Sequence, residues 1–276
     1  MPELPEVETI RRALQVNLPG KVIETIAVRE PRLRWPVDEN KLRQLALGQT
    51  VAGISRRAKY LLIRLRAEST LLIHLGMSGR VLYLTEKRPF DKHDHVIFNF
   101  ADKTELRFRD PRRFGLVDAA APGELEKHPR LVHLGVEPLE HAIIPAAFYD
   151  KVKQANRPVK NLLMDAGLVA GVGNIYANEA LYYAGIHPAA SGNQIDEADW
   201  QRIWQAINQV LRAAIAKGGT TLTDFADSNG EAGYFQLSLV AYGRAGQPCL
   251  KCGTAIQRIV QVGRSTYFCP TCQPSD

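Results

Sequence analysis

Four cysteines constrain this chain more than any other feature. They stand in two pairs near its C-terminal end, Cys249-Leu-Lys-Cys252 and Cys269-Pro-Thr-Cys272, with sixteen residues between the pairs. A two-residue gap lets both thiolates of one turn face a single metal, and the intervening stretch suffices for a β-hairpin that brings the second pair back. Four soft thiolates suit tetrahedral Zn2+, and a site with no open position is structural. Two disulfides or a redox pair are the alternatives. With no further cysteine and no secretory leader in Met-Pro-Glu-Leu-Pro-Glu-Val-Glu-Thr-Ile-Arg-Arg, one structural zinc per chain is expected. Between Glu231 and Asp276 there is no acidic residue, while Arg244, Lys251, Arg258 and Arg264 are basic. Gln257 to Arg264 alternates like a strand entering a turn, which projects Arg264 from a hairpin tip. A metal-stapled hairpin too small for a core of its own, ending in an arginine, reads as a nucleic-acid finger; a solvated basic tail is the plainer reading.

The remainder is ordinary globular sequence. The 276 residues are 45% hydrophobic and 23% charged, enough for a buried core and, at roughly 150 residues per domain, for two domains. No apolar run approaches the ~20 residues of a membrane span, so no membrane partner is expected and the cytoplasm is the expected compartment. The net charge of +6 and sequence pI near 9.2 suit a polyanionic partner without proving one.

The hydrophobic period changes along the chain. Val7, Ile10, Leu14 and Leu18 share one face of a helix over residues 3–18, with Pro5 tolerated in the first turn. Short alternating runs follow at Val22–Val28, Val51–Arg56, Tyr60–Leu65, Thr70–Leu75, Arg80–Leu84, Val96–Phe100 and Thr104–Arg109, the pattern of a β-sandwich or barrel. Pro122, Gly123, Pro129, Pro138 and Pro145 mark a linker. Helical periodicity then covers Ala146–Asn156, Val159–Ala166, Asn174–Ala184 and Glu197–Lys217, and residues 220–238 read as a loop. The domains are therefore placed at 1–118, 119–145 (linker), 146–238 and 239–276, and the class is α+β. Gly167, Gly171 and Gly173 allow a sharp connector between two of the helices. Asn174 is the expected N-cap of the second, and amides at such an end suit either a phosphate or an ordinary cap.

Six motifs in series carry a resemblance: Met1-Pro-Glu-Leu-Pro-Glu-Val-Glu-Thr9, Ala58-Lys59-Tyr60-Leu61, His74-Leu-Gly-Met-Ser-Gly79, Asp110-Pro-Arg-Arg-Phe-Gly115, Gly171-Val-Gly-Asn-Ile-Tyr-Ala-Asn-Glu179 and the cysteine finger. Together they resemble bacterial formamidopyrimidine-DNA glycosylase from the first residue to the last few. The resemblance implies an N-terminal helix and β-sandwich, a helix–two-turn–helix domain and a C-terminal four-cysteine zinc-finger hairpin. It also implies a bifunctional enzyme that excises 8-oxoguanine and formamidopyrimidines from duplex DNA and cleaves the abasic strand, working as a monomer.

That chemistry assigns roles. Once Met1 is removed, the Pro2 nitrogen is a secondary amine near the ~7.7–8.0 range of α-amino groups, so a useful fraction is neutral at pH 7. Attack on the sugar C1′ expels the base and leaves an iminium, an electron sink for eliminating the 3′ and then the 5′ phosphate. By resemblance Glu3 is the general acid and Lys59 acts near the sugar-phosphate. Arg264 grips the flanking phosphates and assists the second elimination, and Glu6 sits one turn beyond Glu3. Taken alone, Glu3 and Glu6 are also what a first helical turn favours. The lesion must be flipped out of the duplex; Met77, Arg112 and Phe114 match the trio that fills the gap, with Arg112 offering paired donors to the orphaned cytosine. His93, Asn156, Arg157, Lys160, Asn174 and Arg264 are the expected phosphate contacts, and residues 220–236 the expected lid. Thr223 stands where many relatives carry a basic residue, which bears on lesion preference, whereas Tyr242 agrees. An endonuclease VIII-like enzyme for oxidised pyrimidines is disfavoured by Leu4 in the opening motif, and a non-catalytic damage sensor by Pro2, Glu3 and Lys59.

Overall fold

The structure is a computed structural model and describes residues 2–218 and 239–275. Met1, the 220–236 lid reading and Thr223 lie outside the described residues. The chain divides into two compact units, one containing residues 2–132 and the other 133–217 with 239–275.

The first unit opens with helix α1, Leu4–Asn17, whose N-cap is Glu3. Glu3 accepts from the Glu6 amide while Glu6 Oε2 accepts from the Glu3 amide at 2.8 Å, a reciprocal capping box that fixes where the helix begins. Two antiparallel four-stranded sheets follow. One orders β1 (Ile23–Val28), β6 (Asp94–Phe100), β7 (Glu105–Arg109) and β5 (Arg80–Leu84); the other orders β2 (Val51–Arg57), β3 (Tyr60–Leu65), β4 (Thr70–His74) and β8 (Leu116–Ala120). Val7, Ile10 and Leu14 from α1 join Ile26, Val51, Ile63, Ile73, Val96, Phe98 and Phe108 in one buried cluster, so the helix covers the same core that the sheets enclose.

Two elements escaped the sequence reading. Helix α2, Glu39–Ala46, interrupts the strand series, its N-cap Asp38 accepting from the Lys41 amide at 2.9 Å. Strand β8 ends two residues inside the stretch read as linker; its alanines are weak strand formers, and pairing with β4 decides the matter.

In the second unit, α3 (Ala146–Val152) and α4 (Val159–Leu163) are shorter than their periodicity suggested. Pro158 disfavours helical geometry at Arg157, and Asp165 Oδ1 accepts from the Gly167 amide at 3.0 Å, starting a turn where the helix was expected to continue. Helices α5 (Asn174–Ala184) and α6 (Glu197–Ala216) fall where expected. The N-cap of α5 is Gly173, not Asn174, which occupies the first helical position. Trp200 and Trp204 on α6 are fully buried against Phe148, with ring centroids 5.7 and 5.2 Å away. Strands β9 (Gln257–Gln261) and β10 (Arg264–Phe268) form the terminal hairpin. Its two turn residues, Val262 and Gly263, have φ of 47° and 71°, the left-handed pair a tight hairpin requires.

Candidate active site and nucleic-acid interface

The first unit holds Pro2, Glu3, Glu6 and Lys59 of the groups assigned to chemistry; Arg264 belongs to the second. Pro2 is half-buried at the head of α1, with Glu3 and Glu6 buried behind it and locked into the capping box. The helix lies along the β2–β3 hairpin: Gln15 Oε1 accepts from the Ile54 amide at 2.8 Å, and Glu8 meets Arg56 at 3.4 Å. Glu8 is near the start of α1 and Arg56 near the end of β2, so the hairpin turn lies toward the Pro2 end. That turn is Ala58-Lys59, between the paired residues Arg57 and Tyr60; Ala58 takes a φ of 51° and its carbonyl accepts from Arg56 Nη1 at 2.7 Å. Lys59 is thus held by a short turn rather than a flexible loop. Burial works against the charge on Glu8, but hydrogen bonds from Arg11 and Arg12 and the Arg56 charge hold its carboxyl below the usual range.

The residues expected to fill the gap, Met77, Arg112 and Phe114, stand on two neighbouring turns. Met77 is 41% and Phe114 39% exposed, and the Arg112 guanidinium lies 4.9 Å from the Phe114 ring centroid. This exposure favours the wedge role over the core role that their residue types suggest. His74 leads into the first turn, its Nδ1 accepting from the Gly76 amide at 3.0 Å and its ring 4.7 Å from that of Tyr60. Burial first, then the charges of Lys59 and Arg34, push His74 down to about 4. His93 begins the run into β6, and its amide donates to Asp91 Oδ1 at 2.8 Å. The next residue, fully buried Asp94, accepts from Arg107 Nη1 at 3.1 Å and Arg109 Nε at 2.6 Å; these hydrogen bonds hold its carboxyl low although burial opposes them.

In the second unit, Arg157 and Arg264 line one groove of about 500 Å³ together with Asn161, Met164, Asp165, Gln261 and Val262. Arg157 also pairs with Asp165 at 3.0 Å, and Asn156 is exposed. Lys160 differs from the picture of an open cation: it is fully buried, and Nζ donates to the Ser265 carbonyl at 3.0 Å and to Thr266 Oγ1 at 2.6 Å. A phosphate contact by Lys160 requires exchange of these partners. Asn174 Nδ2 donates to the same carbonyl at 3.1 Å, while its buried Oδ1 has no hydrogen-bond partner among the described residues. The two residues therefore fasten the position next to Arg264.

Residues that the sequence reading left without roles complete this docking. Asn178 Oδ1 accepts from the Tyr267 amide at 2.6 Å. Buried Glu179 accepts from the amides of Val240 at 2.9 Å, Ala241 at 2.9 Å and Tyr242 at 2.8 Å. Both close the Gly171–Glu179 motif, the available signal that they have a role. Below them the ligand sulfurs of Cys249, Cys252, Cys269 and Cys272 all lie within 4.8 Å of one another. The Cys252–Cys269 and Cys249–Cys272 separations of 3.4 and 3.9 Å are far from a ~2.05 Å disulfide bond. They bracket the roughly 3.8 Å between ligands of a tetrahedral ion with ~2.3 Å metal–sulfur bonds, so the residues fit one ion.

The same parts recur in known proteins. Residues 1–117 match the profile of the formamidopyrimidine-DNA glycosylase N-terminal domain, and residues 134–226 that of the formamidopyrimidine-DNA glycosylase H2TH domain. The chain belongs to the formamidopyrimidine-DNA glycosylase family. Residues 246–274 match a zinc finger found in these glycosylases and in IleRS. The formamidopyrimidine-DNA glycosylase of Thiobacillus denitrificans is 48% identical over 99% of this chain and 100% of its own length, and that of Hahella chejuensis is 46% identical over the same shares. Among solved structures, Lactococcus lactis Fpg bound to DNA with an abasic site is 34% identical, covers 99% of this chain and 100% of its own, and superposes with a TM-score of 0.88. A complex of the wild-type Lactococcus enzyme with oxidised-pyrimidine DNA has the same score at 35% identity and equal coverage. Sequence reading and family membership therefore agree on the α+β class, the two-turn helical domain and the finger. Among the described residues no helix is long and apolar enough to cross a membrane.

Proposed function

We infer that this chain is a bifunctional base-excision repair enzyme, a DNA glycosylase and abasic-site lyase, that acts on oxidised purines in duplex DNA through the imino nitrogen of Pro2. The observation that carries the reading is the head of α1: a half-buried Pro2 followed by two buried glutamates whose carboxylates each accept from the other's backbone amide. With Met1 removed, the Pro2 nitrogen attacks C1′ as the bond from C1′ to the damaged base breaks, and Glu3 supplies a proton that helps open the sugar. The resulting iminium is cationic without further protonation, so it takes up the C2′–H bonding pair as C2′ loses a proton to water; the enamine so formed expels the 3′ phosphate with its bonding pair, and loss of a proton from C4′ expels the 5′ phosphate in the same way. Lys59 lies at the hairpin turn toward this end and acts on the sugar-phosphate.

The nucleotide must leave the helix to reach Pro2, and Met77 and Phe114 take its stacking place while Arg112 donates to the cytosine left behind. His93, Asn156, Arg157, Asn174 and Arg264 contact phosphates, and Lys160 joins them by giving up an internal partner. The four cysteines hold one structural Zn2+; when bound it closes the finger and presents Arg264, and it takes no part in bond breaking. The enzyme works as a monomer on the DNA of the bacterial cytoplasm.

The test uses duplexes carrying 8-oxoguanine opposite cytosine or thymine glycol opposite adenine. Preferential nicking of the 8-oxoguanine strand, leaving phosphate at both ends of the gap, is expected. Preferential attack on thymine glycol would shift the reading to oxidised pyrimidines, and tight binding without nicking would make the chain a sensor.

A further inference from the structure

Two turns carry the wedge, and their backbones are in contact. A Cβ added to Gly76, whose φ is 59°, would lie 2.4 Å from the carbonyl carbon and oxygen of Phe114; one added to Gly115 would lie 2.8 Å from the His74 carbonyl. Arg113 between them takes a φ of 57°. Such a pair of turns, mostly exposed and with one residue in a costly backbone region, needs an internal anchor to keep a single geometry.

We propose that Asp110 is that anchor, a positioning residue whose single buried carboxylate holds Met77, Arg112 and Phe114 in register for insertion into DNA; the proposal rests on the glycosylase reading above. Asp110 is 0% exposed. Its Oδ1 accepts from Ser78 Oγ at 2.6 Å, beside Met77, and from the Arg112 amide at 3.3 Å. Its Oδ2 accepts from the Gly115 amide at 2.7 Å, beside Phe114. Ser78 Oγ lies 3.2 Å from the Arg112 amide as well, so the hydroxyl bridges the two turns. The backbone of Asp110 extends the same hub: its amide donates to the His93 carbonyl at 3.1 Å, and its carbonyl lies 2.8 Å from His95 Nε2. One residue thus fixes the wedge and the site of the expected His93 phosphate contact.

The chemistry requires a carboxylate rather than an amide. Both oxygens accept from N–H or O–H donors that belong to different turns, and a side-chain amide offers only one acceptor oxygen. In Asp110→Asn the NH2 group opposes either the Gly115 N–H or the Arg112 N–H, so the Phe114 turn loses one of its two amide anchors whichever way the amide is placed, while Ser78 Oγ can reverse and accept. A wedge ordered only on insertion bears the entropy of ordering at that moment, and insertion accompanies flipping.

The experiment compares two substrates with zinc-loaded, full-length protein. On duplex 8-oxoguanine, Asp110→Asn is expected to lose about tenfold or more in excision rate, the scale on which misplaced groups cost activity. Its preference for cytosine over adenine opposite the lesion should narrow in parallel. On a single-stranded abasic oligonucleotide, which needs neither flipping nor gap filling, borohydride trapping should stay within about twofold of the unsubstituted protein. Ser78→Ala, which removes only the bridge, should move the same readouts less, and it decides the matter should Asp110→Asn fail to fold. Unchanged duplex excision and opposite-base preference would overturn the proposal, as would an equal loss on both substrates. Failure of the glycosylase reading shows instead in the unsubstituted protein, which would neither excise nor trap.

Discussion

His74 couples acidity to the shape of the Met77 turn. The unfolded chain takes up a proton at this side chain below about pH 6.5, whereas the folded chain resists until about 4, because burial and the nearby Lys59 and Arg34 charges disfavour the imidazolium. The unfolded state therefore binds more protons between those values, and stability rises with pH across that window. At about 1.36 kcal/mol per pKa unit, the full interval is worth about 3 kcal/mol and the drop from pH 7 to 4.5 about 2 kcal/mol, with a steepest slope of about 1.2 kcal/mol per pH unit. Protonation also converts Nδ1 from acceptor to donor, directly against the Gly76 amide it now accepts from at 3.0 Å. Urea unfolding of the unsubstituted protein and of His74→Gln at pH 7, 6, 5 and 4.5 isolates this contribution from that of the carboxylates. His74→Gln should lose about 2 kcal/mol less stability on acidification. Parallel pH profiles for the two proteins would refute the reasoning.

Other consequences are equally specific. Glu179→Ala strips the acceptor from three backbone amides, two of them on buried residues, and should cost about 3 kcal/mol or more in urea unfolding; a loss below about 1 kcal/mol would contradict the anchoring role. Atomic absorption should find one zinc per chain, and its removal by a chelator should abolish DNA binding, because the apolar side chains the finger buries among the described residues are few, Val240, Ala241, Ile256 and Phe268 with Cys249 and Cys269; retained binding would show that the metal does not hold the finger. Arg264→Ala should lower the slope of log K against log salt by about 1, the signature of one lost phosphate contact, and an unchanged slope would remove Arg264 from the interface.

Much of this was legible in the residues. The cysteine spacing announces the finger, and the change from alternating to helical period announces the division between sheet and helix. Motifs in series single out Pro2, Glu3 and Lys59. Local signals failed where tertiary contacts decide. Asp38 capping Leu42-Arg-Gln-Leu45-Ala46 was a readable helix start hidden inside a strand series, whereas the alanines of β8 become a strand only by pairing with β4. Lys160 reads as an exposed cation because lysine almost always is one; nothing in its neighbours tells that Ser265 and Thr266, more than a hundred positions away, will enclose it. Asp110 and Glu179 lie inside the motifs yet carry no role in the sequence, because their partners are backbone amides and, for Asp110, a serine hydroxyl 32 positions away, none of which a sequence pattern displays.

The most direct test of the mechanism concerns the N-terminal residue. The protein is incubated with abasic DNA, reduced with borohydride, digested and analysed by mass spectrometry. The adduct is expected on the N-terminal peptide at Pro2, and should vanish when Met1 is retained ahead of it. An adduct carried by Lys59 or another lysine, or trapping undiminished by a blocked terminus, would contradict the account at its centre.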